Sequence, residues 1–243
     1  MGADAERPGP STGTGAERGP AGGSARTDEE GWARLHGGVR PPAPARVWIA
    51  GVQRLAAGPV GRVPPDLLSL AGVVAVGAAV PTAGRLPLLA ALLVLVGGVL
   101  DGLDGAVALR TGRARPLGAV VDATADRLGD LLLPAVLAAL GAPPRWCVAV
   151  GAAVLLHEYV RARAQAVGMP GVGAVTVAER PTRVVVVLVA ALGSGLMPAG
   201  TPFTGWSWAT ACLLIWAVLA LVGLGQLGVS VVRTVPREFG PRR

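Results

Sequence analysis

The sequence predicts an all-α polytopic membrane protein: six transmembrane helices, with a short juxtamembrane helix ahead of them. Three observations predict it. Hydrophobic residues make up 52% of the chain and charged residues only 15%, with a mean hydropathy of +0.56, a balance unlike that of a soluble domain. The apolar residues fall into six runs, at about 66–82, 86–108, 118–141, 144–163, 182–198 and 206–230. Each is long enough, or nearly so, to cross ~30 Å of hydrocarbon at a rise of about 1.5 Å per residue. Finally, the cationic residues, all of them arginine, gather at the ends of these runs.

Residues 1–44 are rich in Gly, Pro, Ala, Ser and charge and contain no apolar run, so they are expected to form a disordered tail without the apolar core of a signal peptide. Residues 45–57 place Val47, Trp48, Val52 and Leu55 roughly on one helical face, which suits a helix lying on a membrane surface or an ordinary packing helix. The membrane domain then runs to about residue 233, and residues 234–243 form a basic tail. Of the six runs, 182–198 is the weakest, and 206–230 is longer than one crossing needs.

The loops set the orientation. Arg46, Arg54, Arg62, Arg110, Arg113, Arg115, Arg161, Arg163, Arg180, Arg183, Arg233, Arg237, Arg242 and Arg243 fall on one side, and Arg85 and Arg145 on the other. By the positive-inside rule both termini are cytoplasmic, in a plasma-membrane protein. Trp146, Trp206 and Trp208 fall at the opposite ends of spans, where interfacial anchors belong. The net charge of +7 could point to nucleic acid, but this distribution argues for anionic headgroups and topology instead, and no nucleic-acid partner is expected. Cys147 and Cys212 lie inside apolar runs without metal-type spacing and read as packing residues.

The chemistry concentrates between Asp101 and Asp126, DGLDGAVALRTGRARPLGAVVDATAD, flanked by apolar runs. Asp101 and Asp104 are spaced i,i+3, and Asp122 and Asp126 i,i+4, so each pair shares a helix face. The segment between them carries two Gly and a Pro and reads as a turn, so a helical hairpin would bring the four carboxylates together. Acids beside hydrocarbon mark a functional site by default. Four that converge repel one another unless cations lie between them; Mg²⁺ or Mn²⁺ suits such oxygen ligands, and a pair of ions suits phosphoryl transfer. A metal-free structural cluster is the competing reading, weakened by the cost of uncompensated buried charge. The active site would face the cytoplasm.

This stretch resembles the signature of the CDP-alcohol phosphatidyltransferases, D-x-x-D-G-x-x-A-R, eight residues, G-x-x-x-D-x-x-x-D. Asp101, Asp104, Gly105, Ala108, Gly118, Asp122 and Asp126 match seven of its eight defined positions. Leu109 stands where the family has Arg. The resemblance implies a homodimeric enzyme that moves a phosphatidyl group from CDP-diacylglycerol to an alcohol and releases CMP. Asp101, Asp104, Asp122 and Asp126 would bind two ions, with Asp126 also the general base. Gly105, Ala108 and Gly118 would line the donor site, joined by Pro65, Asp66 and Ser69, which resemble a short family segment. In place of the missing Arg, Arg115 is the nearest candidate for the donor's diphosphate; Arg110 is turned by about 100° from position 109 on a helix.

A second resemblance bears on the acceptor. Tyr159 to Gln165 and the segment Glu179, Arg180, Pro181, Thr182, Arg183 are similar to segments of actinobacterial phosphatidylinositol-phosphate synthases. That implies a polyol phosphate acceptor, inositol phosphate favoured, gripped by Arg161, Arg180 and Arg183, since guanidinium pairs bidentately with phosphate. A glycerol phosphate acceptor, or a non-catalytic lipid-binding member of the fold, are the alternatives, and Leu109 is the one residue that argues for the latter. His157 reads as a packed residue, and Asp130 as a partner of Arg127 or of another Arg.

Overall fold

The structure is a computed structural model that describes residues 43–112, 115–169 and 176–235. These residues contain seven α-helices and no strand. They are α1 (Ala43–Ala56), α2 (Pro65–Ala83), α3 (Pro87–Thr111), α4 (Pro116–Ala139), α5 (Pro144–Ala166), α6 (Arg180–Leu196) and α7 (Trp208–Thr234), with a 3₁₀ turn at Pro59–Arg62. Residues 1–42 and 236–243, which hold most of the two expected tails, lie outside the described residues, as do Arg113 and residues 170–175.

The helices begin where the chemistry of the chain says they should. Pro occupies the first turn of α2, α3, α4, α5 and α6, where its missing N–H costs nothing and its fixed φ suits a helix start. Ser207 caps α7 by accepting from the Thr210 N–H at 3.2 Å. Helix α3 ends at Gly112 with φ 63°, the left-handed residue that stops a helix. It therefore runs past the expected end at 108, and the turn between the two acid pairs shortens to residues 112–115.

Three helices, α2, α3 and α7, are long and apolar enough to cross a membrane by length and composition. The other three predicted spans fall short for visible reasons. Helix α4 carries Asp122, Asp126, Arg127 and Asp130; α5 carries Arg145, Glu158, Arg161 and Arg163; α6 has only 17 residues. These carboxylates and guanidinium groups lower the hydropathy of the first two, and six of them, all but Arg145 and Arg163, belong to the site described below.

The core forms where α2 to α7 meet, around Val94, Leu137, Val187 and Trp216, all nearly inaccessible. Helix α2 packs on both α3 and α4; α6 packs on α3 and α7. Small residues permit the close approaches. A Cβ added at Gly97 would lie 2.5 Å from Val76 Cγ2 and 3.1 Å from the Gly72 carbonyl, so α2 and α3 touch backbone to backbone there. The outer surface is apolar too, with Leu70, Val74, Leu92, Val218 and Leu221 all more than half exposed. Helices that are hydrophobic inside and outside suit a lipid surrounding. Helix α1 buries Val52 and Ala56 against Leu103, Ala106 and Val107 and leaves Trp48 and Leu55 about half exposed, so it joins both readings given to it: it packs, and it presents an apolar edge. Trp146 and Trp206 are exposed as anchors would be, whereas the Trp208 ring lies over Gly193.

Gly97→Leu should therefore destabilise the protein by about 1–3 kcal/mol, the cost of overpacking. Gly228→Ala, where nothing lies within 4 Å of the added methyl, should leave stability unchanged. Thermal unfolding in detergent of the two variants beside the native chain checks this; equal midpoints would contradict the packing.

Candidate active site

Asp101 and Asp104 lie in the last turns of α3, and Asp122 and Asp126 in the first turns of α4, so the hairpin sets both pairs at one end of the bundle. Asp101 and Asp126 face each other across it, and Asp104 has Asp122 and Asp126 as like-charged neighbours. The four acids are neighbours at that end.

The acids differ in what holds them. Asp104 is buried; the Ser69 hydroxyl donates to its Oδ2 at 2.5 Å and the Gly105 N–H to its Oδ1 at 2.6 Å. Ser69 thus positions a carboxylate. Asp101 and Asp126 are joined by one guanidinium: Arg180 Nη2 lies 2.7 Å from Asp101 Oδ1, and Arg180 Nη1 pairs with Asp126 Oδ1. Asp122 is exposed. Arg180 is the first residue of α6, so a third helix meets the hairpin at the acids. A Cβ at Gly129 would lie 2.9 Å from Arg180 Nη2, so a glycine on α4 makes room for the guanidinium.

The donor set is four carboxylates, the hard oxygen ligands that Mg²⁺ and Mn²⁺ prefer, and a cation already sits between two of them, so the residues fit a divalent ion. As the side chains stand, no three metal-ligating groups among the described residues close around one point; Arg180 spans the gap between Asp101 and Asp126 instead. Beside the acids, Gly105 is exposed with nothing within 4 Å of an added Cβ, which leaves open space. Arg115 pairs with Asp66, and both lie against Gly118: an added Cβ there would meet Arg115 Cγ at 3.3 Å and Asp66 Oδ1 at 3.5 Å. Pro65 opens α2, which delivers Asp66 and Ser69; Ala108 lies one helical turn after Asp104 on α3. Leu109 is 67% exposed and turned away from the buried face of α3.

The other two predicted arginines are already engaged. Arg183 is 1% exposed, with Nη1 2.8 Å from Asp130 Oδ2, Nη2 2.6 Å from Glu158 Oε1 and Nε donating to the Ala178 carbonyl at 2.8 Å. Arg127 adds contacts of 3.3 Å to both Asp130 and Glu158. This network ties α4, α5 and α6 together beneath the acids. Arg161 makes a bidentate pair with Glu179, at 2.6 and 3.1 Å, and Thr176 donates to the same carboxylate. Burial would raise the Glu179 pKa, but the Arg161 guanidinium and the Thr176 donors outweigh it and hold the carboxyl below its ordinary range. Buried His157 lies 3.3 Å from the Thr176 hydroxyl, a packed histidine as expected. Of the three arginines expected to grip an acceptor, then, Arg180 alone pairs with any of the four acids, namely Asp101 and Asp126. The partners Glu158 and Glu179 were not legible in sequence, since each pairs across 18 or more residues.

Residues 62–223 match the family model for CDP-alcohol phosphatidyltransferase. The chain belongs to that family. It is 37% identical over 188 residues to the phosphatidylinositol phosphate synthase of Mycolicibacterium smegmatis, covering 73% of this chain and 81% of that one. It is 35% identical over 127 residues to the archaetidylinositol phosphate synthase of Aeropyrum pernix, covering 51% of this chain and 66% of that one. Among solved structures, the phosphatidylinositol phosphate synthase of Mycobacterium tuberculosis with CDP-DAG bound superposes with a TM-score of 0.58 at 28% identity, over 79% of this chain and 98% of that one. The same enzyme in complex with manganese and citrate superposes with a TM-score of 0.57 at 27% identity, over 79% and 93%. Membership makes this chain a phosphatidyltransferase, an enzyme.

Arg183→Ala would leave Asp130 and Glu158 only the longer contacts to Arg127, and should cost about 3–5 kcal/mol, the penalty for breaking a buried pair. Arg163→Ala, at an exposed position, should be neutral. Unfolding midpoints in detergent separate the two. An Arg183→Ala variant as stable as the native chain would mean the network bears no load.

Proposed function

We propose that this chain transfers the phosphatidyl group of CDP-diacylglycerol to inositol phosphate, at the cytoplasmic face of the plasma membrane, releasing CMP. The observation that carries the reading is the meeting of two carboxylate pairs with Arg180, beside the open space at Gly105. The names of its relatives support the acceptor: those of Mycolicibacterium smegmatis and Aeropyrum pernix are both inositol phosphate lipid synthases. The full reading includes six membrane crossings, cytoplasmic termini, a domain from about residue 45 to 233 and assembly as a homodimer.

In this mechanism Asp101, Asp104, Asp122 and Asp126 hold Mg²⁺ or Mn²⁺, two ions in the full reading. Bound there, the ions would neutralise the diphosphate and polarise the phosphorus under attack. The side chains do the rest. Asp126 accepts the proton of the acceptor hydroxyl, whose oxygen forms the new bond to phosphorus while the bond to CMP breaks. Ser69 and the Gly105 N–H keep Asp104 in one orientation. Gly105 and Gly118, with Ala108, let the nucleotide approach helix backbone, and Arg115, held by Asp66, faces the diphosphate in place of the arginine absent at Leu109. Arg180 receives the acceptor phosphate; Arg161 and Arg183, bound by Glu179, Asp130 and Glu158, shape the floor under it.

The deciding experiment incubates membranes containing the protein with labelled CDP-diacylglycerol, Mg²⁺ and a panel of polyol phosphates. Phosphatidylinositol phosphate as the product is expected; a phosphatidylglycerophosphate product would replace the acceptor, and the absence of any lipid product would sink the reading. Two variants test the donor side. Arg115→Ala should raise the donor KM about tenfold with a smaller change in kcat, the pattern of lost binding. Leu109→Arg should leave the donor KM near the native value, because Arg115 already fills the role. A donor titration in which Arg115→Ala is silent and Leu109→Arg lowers KM would show the site to be incomplete as it stands.

A further inference from the structure

Arg180 lies between two of the four carboxylates that would hold a divalent ion in the proposed reaction. Its guanidinium bridges Asp101 on α3 and Asp126 on α4 from the first residue of α6, the only side chain among the described residues seen to bind two of the four acids. The seat is shaped for it, since any side chain at Gly129 would crowd Nη2. Yet the attachment is partial. Arg180 Nε is buried without a hydrogen-bond partner, and the side chain is 21% exposed. Arg183, three residues on, is the contrast: all three of its nitrogens are satisfied and it is sealed from solvent. One arginine is a fixed strut and the other has somewhere to go.

We propose that Arg180 is a displaceable resident cation, which neutralises Asp101 and Asp126 until a divalent ion takes their oxygens, and which then turns its freed guanidinium to the acceptor's phosphate. The inference rests on the functional reading above and adds an order to it. A guanidinium and a dication compete for the same carboxylate oxygens and repel each other across them. A phosphate dianion offers the displaced guanidinium an equivalent bidentate partner. Ion binding and phosphate binding therefore favour one another, and by linkage the effect is reciprocal. The acceptor's phosphate site is completed only once the ion is in place, so acceptor recognition follows loading of the acids.

The test is a binding titration, which is independent of turnover and so fails separately from the assignment of product. Free Mn²⁺ is followed by electron paramagnetic resonance with the purified full chain in nanodiscs, with and without inorganic phosphate as the probe. Phosphate carries the recognised charge whatever the acceptor alcohol is. In the native chain phosphate should tighten Mn²⁺ binding by at least about fivefold, the lower end of allosteric coupling. Arg180→Gln should bind Mn²⁺ more tightly than the native chain without phosphate, and should lose most of the phosphate effect. Arg180→Lys, a cation without the fork that spans two carboxylates, should fall between. A native chain whose Mn²⁺ affinity ignores phosphate overturns the proposal, and needs no variant to fold. So does an Arg180→Gln chain that binds Mn²⁺ no more tightly than the native one or keeps the native phosphate effect.

Discussion

The bridge from Arg180 to Asp101 and Asp126 is the contact on which the rest of the site depends. Carboxylates next to hydrocarbon are tolerated only when something neutralises or hydrogen-bonds them. Here the compensation comes from three directions: Arg180 for Asp101 and Asp126, Ser69 and the Gly105 N–H for Asp104, and solvent for Asp122. Each source belongs to a different part of the bundle. Satisfying the acids therefore fixes where α2, α3, α4 and α6 meet, and the site and the fold become one problem.

Below that level a second set of charges acts as scaffolding. Arg183 and Arg127 join Asp130 and Glu158, and Arg161 joins Glu179 at the loop that leads into α6. These pairs hold α6 at the depth that brings Arg180 to the acids. Beside Asp101, α2 and α3 meet through the small residues Gly72 and Gly97, because lipid offers no hydrophobic drive for one helix to prefer another. Close backbone contact and ionic ties therefore act side by side around the acids.

Much of this was legible in the sequence, and the reasons are local. The helices were visible as apolar runs, five of which open on Pro, and the acid pairs were visible because i,i+3 and i,i+4 spacing fixes a shared face. The expected arginine partners of Asp130 are Arg127 and Arg183, a turn deeper than the four acids. What the sequence hid is tertiary. Arg161, Arg180 and Arg183 read alike as phosphate ligands because each is an arginine near the same helix ends. Which are spent on Glu179, Asp130 and Glu158 depends on contacts between residues 18 to 53 positions apart. Helix α3 outlasts its apolar run for a simpler reason: Arg110 continues a helix well, the Thr111 hydroxyl donates back to the Val107 carbonyl at 2.7 Å, and only Gly112 ends it.

The central claim is that the four carboxylates are a divalent-cation site. Crystals of the protein soaked in Mn²⁺ and measured at a wavelength where manganese scatters anomalously test it most directly. The account predicts an anomalous peak among Asp101, Asp104, Asp122 and Asp126, with the Arg180 guanidinium withdrawn from Asp101 and Asp126. No peak at saturating Mn²⁺, with the guanidinium still bridging the two acids, would contradict it.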